Sequence, residues 1–155
     1  MTERYERRYG YRHGNVAQYA SAAEIAKAIR ADIKTARAEG LLPNDWKYSV
    51  RSSNFSGGCS IDVTVSGPFD EIMVHEDFSK CAINGGCHEA TRYHAYRNCG
   101  GSAHLTELAE SAEMTLKRIH NAYNYDGSEV ETDYFDVRYY GQVTFDYALW
   151  AQARA

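Results

Sequence analysis

Residues Lys47–Pro68 read KYSVRSSNFSGGCSIDVTVSGP, and this stretch decides the fold. Trp46, Tyr48 and Val50 alternate with Lys47, Ser49 and Arg51, and Ile61, Val63 and Val65 alternate with Ser60, Asp62 and Thr64. A period of two with one apolar side is the pattern of half-buried antiparallel strands, here expected over Trp46–Arg51 and Ser60–Val65. The connection from Ser52 to Cys59 exceeds a two-residue turn and reads as a wider loop in which Gly57 and Gly58 supply positive φ. Gly67-Pro68 ends the second strand.

Working outward, Ser21 with Glu24 three residues later forms a capping box. Ile25, Ile29 and Ile33 then repeat at i+4 and Gly40 stands at a C-terminus, which predicts a helix over 22–39. A second helix is expected over 105–123, with Leu105, Leu108, Ala112, Leu116 and Ile119 on its buried face. The turn-rich YNYDGSEVETD, Tyr123–Asp133, reads as a solvated acidic loop. After it Phe135, Val137, Tyr139, Val143, Phe145 and Tyr147 share one parity across Gly141, which favours one long strand over a hairpin. Tyr139 and Tyr140 have opposite parity, so one is expected in the core and the other in solvent. The order helix, strand, strand, helix, strand gives a two-layer α+β domain, two helices on one face of a mainly antiparallel sheet. Residues 20–150 are expected to form this single domain, with a variable segment at about 69–104 in which ATRYHAYR reads as a third strand. Residues 1–19 read as a flexible basic and aromatic arm, ordered only where it docks.

At 155 residues the chain is long enough to bury a core without a metal or disulfide. Its net charge of −4 is unevenly spread. Residues 1–55 hold ten Lys and Arg against six Asp and Glu, and the remainder seven against fifteen, so an evenly basic nucleic-acid binder is disfavoured. No apolar run is long enough to span a membrane and the first residues lack a signal-peptide core, so a cytoplasmic protein with reduced thiols is expected.

Arranged as helix, KYSVRSSNFSGGCSIDVTVSGP, helix, YNYDGSEVETDYFDVRYYGQVTF, the chain resembles one of the "large polyvalent protein associated" domain families over roughly Ala22–Pro68 and Leu105–Tyr147. The resemblance implies a bacteriophage or mobile-element accessory protein acting in the host cell, with a task such as countering host defences. It assigns no catalytic residues.

No serine elbow, phosphate loop or dinucleotide fingerprint occurs, and HEATR at His88 has Arg92 where a metalloprotease needs its second histidine. A non-enzymatic protein is therefore expected, and three readings of its chemistry stay open. The first is recognition of a host protein, with Tyr139 and Tyr140 as candidate contacts. The second is a nucleic-acid surface built from Arg4, Arg7, Arg8 and Arg12 in the arm with Lys47, Arg51 and Asn54 near the hairpin tip, where cations alternate with rings suited to stacking. The third is zinc binding by Cys81, Cys87, His88, His94, Cys99 and His104, soft ligands gathered in 24 residues but without a paired-cysteine knuckle.

Overall fold

The computed structural model describes residues 8–77, 101–128 and 137–155. They form an α+β fold and group into two compact units, one drawn from Met1–Val65 and Ala112–Thr144, the other from Ser66–Ser111 and Phe145–Ala155.

The first unit opens with strand β1 (Arg8–Tyr9) and a 3-10 turn (His13–Asn15), followed by helix α1 (Ala22–Ala38). The Ser21 hydroxyl accepts the Glu24 N–H at 3.2 Å, satisfying one of the N–H groups a helix start leaves unpaired. Gly40, at φ 78°, closes the other end. Ile25, Ile29 and Ile33 are buried as their spacing requires.

Strands β2 (Lys47–Phe55) and β3 (Gly58–Ser66) form a hairpin longer and tighter than the sequence suggests. Only Ser56 and Gly57 connect them, and Gly57 adopts φ 93°, so a wide loop gives way to a two-residue turn. The pairing continues through Ser52, Ser53 and Asn54 because polar residues on a half-exposed strand keep its ladder without an apolar signal.

Helix α2 (Phe69–Ile72), β4 (Met73–Val74) and β5 (His104–Leu105) belong to the second unit. β4 and β5 pair antiparallel, with Met73 opposite Leu105. Helix α3 (Glu107–Asn121) is shorter than expected, since Leu105 is in a strand and Thr106 caps the helix by accepting the Ala109 N–H at 3.2 Å. Its buried face runs through Ala109, Ala112, Leu116 and Ile119, and Leu108 is 48% exposed rather than buried. Ala109, three residues before Ala112, takes the inward position that Leu108 was expected to hold.

Strand β6 (Tyr125–Asp126) pairs antiparallel with β1, Arg8 opposite Asp126 and Tyr9 opposite Tyr125. Strand β7 (Val143–Phe145) completes the order β2-β3-β7. The expected unbroken strand over Phe135–Tyr147 does not form. Tyr140 bridges Ser60 in the parallel sense, the chain turns at Gly141 with φ 120°, and Tyr147 begins helix α4 (Tyr147–Arg154), whose first N–H groups include one accepted by Asp146. A Cβ at Gly141 would stand 1.9 Å from the Ile61 carbonyl oxygen, so the two backbones meet where only glycine fits. That carbonyl pairs with His120 Nε2 at 2.7 Å, while Asp62 accepts the Gln142 N–H.

α1 packs on β2 and the end of α3 reaches β3 through His120, so both helices cover the face that carries Val50, Ile61, Val63 and Val65. In the second unit Ile72, Met73, Leu149 and Ala153 are buried, and the Glu76 N–H donates to the Ala153 carbonyl. The ATRYHAYR segment lies outside the described residues.

Candidate functional site

Burial of one sheet face leaves the other in solvent. Lys47, Ser49, Arg51, Ser53 and Phe55 alternate outward along β2, and Ser60, Asp62 and Thr64 do so along β3. This face is polar at its centre. The Ser53 and Ser60 hydroxyls lie 2.9 Å apart, and Ser60 donates to Asp62 at 3.3 Å.

At the hairpin end the character changes. Phe55 and Tyr140 are 49% and 40% exposed, and their ring centroids are 6.0 Å apart. Gly58 forms their floor, because a Cβ there would come within 3.3 Å of both rings. The absent side chain lets two aromatic groups lie over this position and remain half-exposed. Arg51 and Asn54 are exposed on the same hairpin. Tyr139, the adjacent residue, is turned inward at 1% exposure. Its hydroxyl donates to the His120 carbonyl, its ring meets the His120 ring edge-on at 5.5 Å, and burial pushes its ionisation well above the usual phenol range. Tyr139 is thus a core residue and Tyr140 a surface one, as their parity requires.

The arm is docked on its own chain over the residues described. The Gly10 N–H donates to the Asn124 carbonyl at 2.8 Å and the Arg12 N–H to the Ala122 carbonyl at 2.7 Å. A Cβ at Gly10 would lie 2.1 Å from the Asn121 carbonyl oxygen, which explains the glycine. Arg138 completes the attachment by donating to the carbonyls of His13, Ala17 and Tyr123. The carbonyls of the three residues that follow α3, Ala122, Tyr123 and Asn124, are satisfied in this way by the arm and one guanidinium.

Docking also pairs the arm's cations. Arg8 lies 3.5 Å from Asp126 and Arg12 lies 3.2 Å from Asp32. Asp32 holds the Arg12 guanidinium more firmly protonated, and the Ser128 N–H, with Arg8 a lesser cause, lowers the Asp126 carboxyl. The Tyr123 hydroxyl donates to the second Asp32 oxygen. Burial, reinforced by Asp32, pushes Tyr123 up to about 12. Arg12 and Arg118 both approach the Tyr11 ring, at 5.4 and 5.1 Å, beside a cavity of about 280 Å³. A second cavity, of about 320 Å³, lies between Tyr9, His13, Tyr125 and Arg138. Arg4 and Arg7 lie outside the described residues.

Of the zinc candidates only His104 is described, and its Nδ1 pairs with the Ser102 carbonyl at 2.8 Å; Cys81, Cys87, His88, His94 and Cys99 fall outside. Among the described residues no group of three or more His, Cys, Asp or Glu is arranged to hold a metal ion. Cys59 is a free, half-buried thiol whose ionisation burial pushes up. No helix among the described residues is long and apolar enough to cross a membrane.

Phe55 is the contributor that sequence reasoning missed. Its signal was present, since it continues the parity of Lys47, Arg51 and Ser53 once β2 is extended to the turn. No protein-family model matches the chain, and no curated protein or solved structure is significantly similar to it.

Proposed function

We propose that this is a non-enzymatic accessory protein that binds another protein through the open face of its sheet, with Phe55 and Tyr140 as anchors. The exposed aromatic pair on Gly58 supports this reading. Aromatic rings bring a large apolar area at small entropic cost and dominate the centres of protein interfaces, and Arg51, further along the same outward face of β2, is of the cation type most enriched there. The polar remainder of the face, Ser49, Ser53 and Asp62, suits a hydrated rim. A host protein as partner, and a bacteriophage or mobile-element setting, are proposed on the family resemblance of Ala22–Pro68 and Leu105–Tyr147.

Affinity capture from bacterial lysate with the native protein and with a Phe55→Ser/Tyr140→Ser variant tests this reading. Proteins retained by the native chain should fall at least tenfold with the variant, while its urea midpoint stays near the native one, since exposed substitutions usually change stability by about 0.5 kcal/mol or less. Equal retention by both proteins would contradict the assignment.

A further inference from the structure

Helix α1 carries its charges in two separated flanks. At 3.6 residues per turn, Lys27, Arg30, Lys34 and Arg37 fall within about 80° of one another around the axis, on one side of the buried isoleucine stripe. Glu24, Asp32 and Glu39 fall on the other side. The acidic flank is in use, because Asp32 receives Arg12 and Tyr123. The cationic flank runs beside edge strand β2, where Arg30 donates to the Val50 carbonyl and Arg37 to the Asn44 carbonyl, each at 2.6 Å. A cavity of about 300 Å³ lies along it, lined by Arg30, Lys34, Arg37, Tyr48 and two apolar side chains, with no carboxylate in its wall. Asp45 is the acid that faces Tyr48 from outside that wall. Lys27 and Lys34 make no hydrogen bond or ion pair among the described residues.

We infer that the cationic flank of α1, Lys27, Arg30, Lys34 and Arg37, is a binding surface for the phosphate backbone of a nucleic acid. Four cations follow one another over about 15 Å of helix, at 1.5 Å per residue, in a protein whose net charge is −4. A regular series of phosphates is the polyanion that complements a row of this kind. Arg30 and Arg37 are each held by one backbone carbonyl, and the Arg37 guanidinium also lies over the Tyr48 ring at 5.6 Å with its Nε buried, so these two cations are positioned before any ligand arrives while the lysines between and before them reach out from the helix. The carbonyl ties also space the guanidinium groups along the strand edge instead of converging them on one point, which favours a backbone over a single phosphorylated side chain. This surface is separate from the open sheet face, which lies on the opposite side of β2.

Fluorescence anisotropy with a labelled 20-nucleotide single-stranded DNA, over a series of salt concentrations, is the test. The native protein should bind near 50 mM salt with an affinity that declines as salt rises, and Lys27→Gln/Lys34→Gln should flatten the log–log slope by about 1.4, roughly 0.7 per lost contact. Both lysines are solvent-exposed and have no bonded partner among the described residues, so the variant keeps the fold. A Lys47→Gln/Arg51→Gln variant, on the other face of β2, should retain the native slope. Absence of binding at 50 mM salt would overturn the inference. So would an unchanged slope in Lys27→Gln/Lys34→Gln, or equal competition by a doubly phosphorylated serine peptide at the same phosphate concentration. Loss of oligonucleotide binding with retained protein capture, or the reverse, distinguishes this surface from the sheet face.

Discussion

Gly141 shows how much one residue decides. It holds φ 120° and lets its backbone lie against the Ile61 carbonyl, between the Tyr140 and Gln142 carbonyls that accept the Ile61 and Val63 N–H groups of β3. Gly141→Ala adds a strained backbone and a methyl with nowhere to go, so urea unfolding should show a loss of roughly 3 kcal/mol. A loss under about 1 kcal/mol would mean the contact relaxes freely. Tyr48 makes a second residue-scale prediction. Burial pushes it up to about 12, with Arg37 opposing and Asp45 reinforcing the shift. Above pH 10 the unfolded phenol loses its proton while the folded one keeps it, so the unfolded state binds fewer protons and stability declines from about pH 10 to about pH 12. Tyr123, also raised to about 12, adds to the same decline. Tyr48→Phe/Tyr123→Phe should flatten the dependence of the urea midpoint on pH in that window, and an unaltered dependence would dismiss the assignment.

At the scale of elements, local signals were read well where packing agreed with them. The Ser21 cap and isoleucine stripe located α1, and the alternation of Ile61, Val63 and Val65 located β3. They misled where two elements shared a parity by chance. Val137 to Tyr147 alternates without a break, yet the backbone turns at Gly141 and Asp146 starts a helix; both events depend on the neighbouring Ile61 and on a cap, neither visible as periodicity. The polar half of β2 carried no apolar signal, which hid Phe55 and with it half of the aromatic pair. The arm was legible as basic and aromatic, whereas its docking depended on carbonyls just beyond α3 and on Arg138, more than 100 residues away in sequence. Arg138→Met should therefore release the arm. Amide exchange at Gly10 and Arg12 should quicken at least tenfold while the buried turns of α1 keep their protection, and unchanged exchange would show that the backbone pairing of β1 with β6 suffices.

On the scale of the whole molecule, charge and exposure are divided among surfaces with different occupants. On the acidic flank of α1 Asp32 is taken by the chain itself, the cationic flank lines a cavity without a carboxylate in its wall, and the outer sheet face offers the rings of Phe55 and Tyr140. The composition alone indicated a basic first third and an acidic remainder, but only the fold shows that Arg8 and Arg12 are paired with Asp126 and Asp32, while among the described residues the cations of α1 have no carboxylate partner. The central claim is that a partner protein sits on Phe55 and Tyr140. Its most direct measurement is photo-cross-linking in bacterial lysate with a benzophenone side chain at position 55 and, separately, at Tyr147, which is 79% exposed in the other unit. One protein species cross-linked strongly at position 55 and not at position 147 is the predicted result. Equal cross-linking at both positions, or none at position 55, would contradict it.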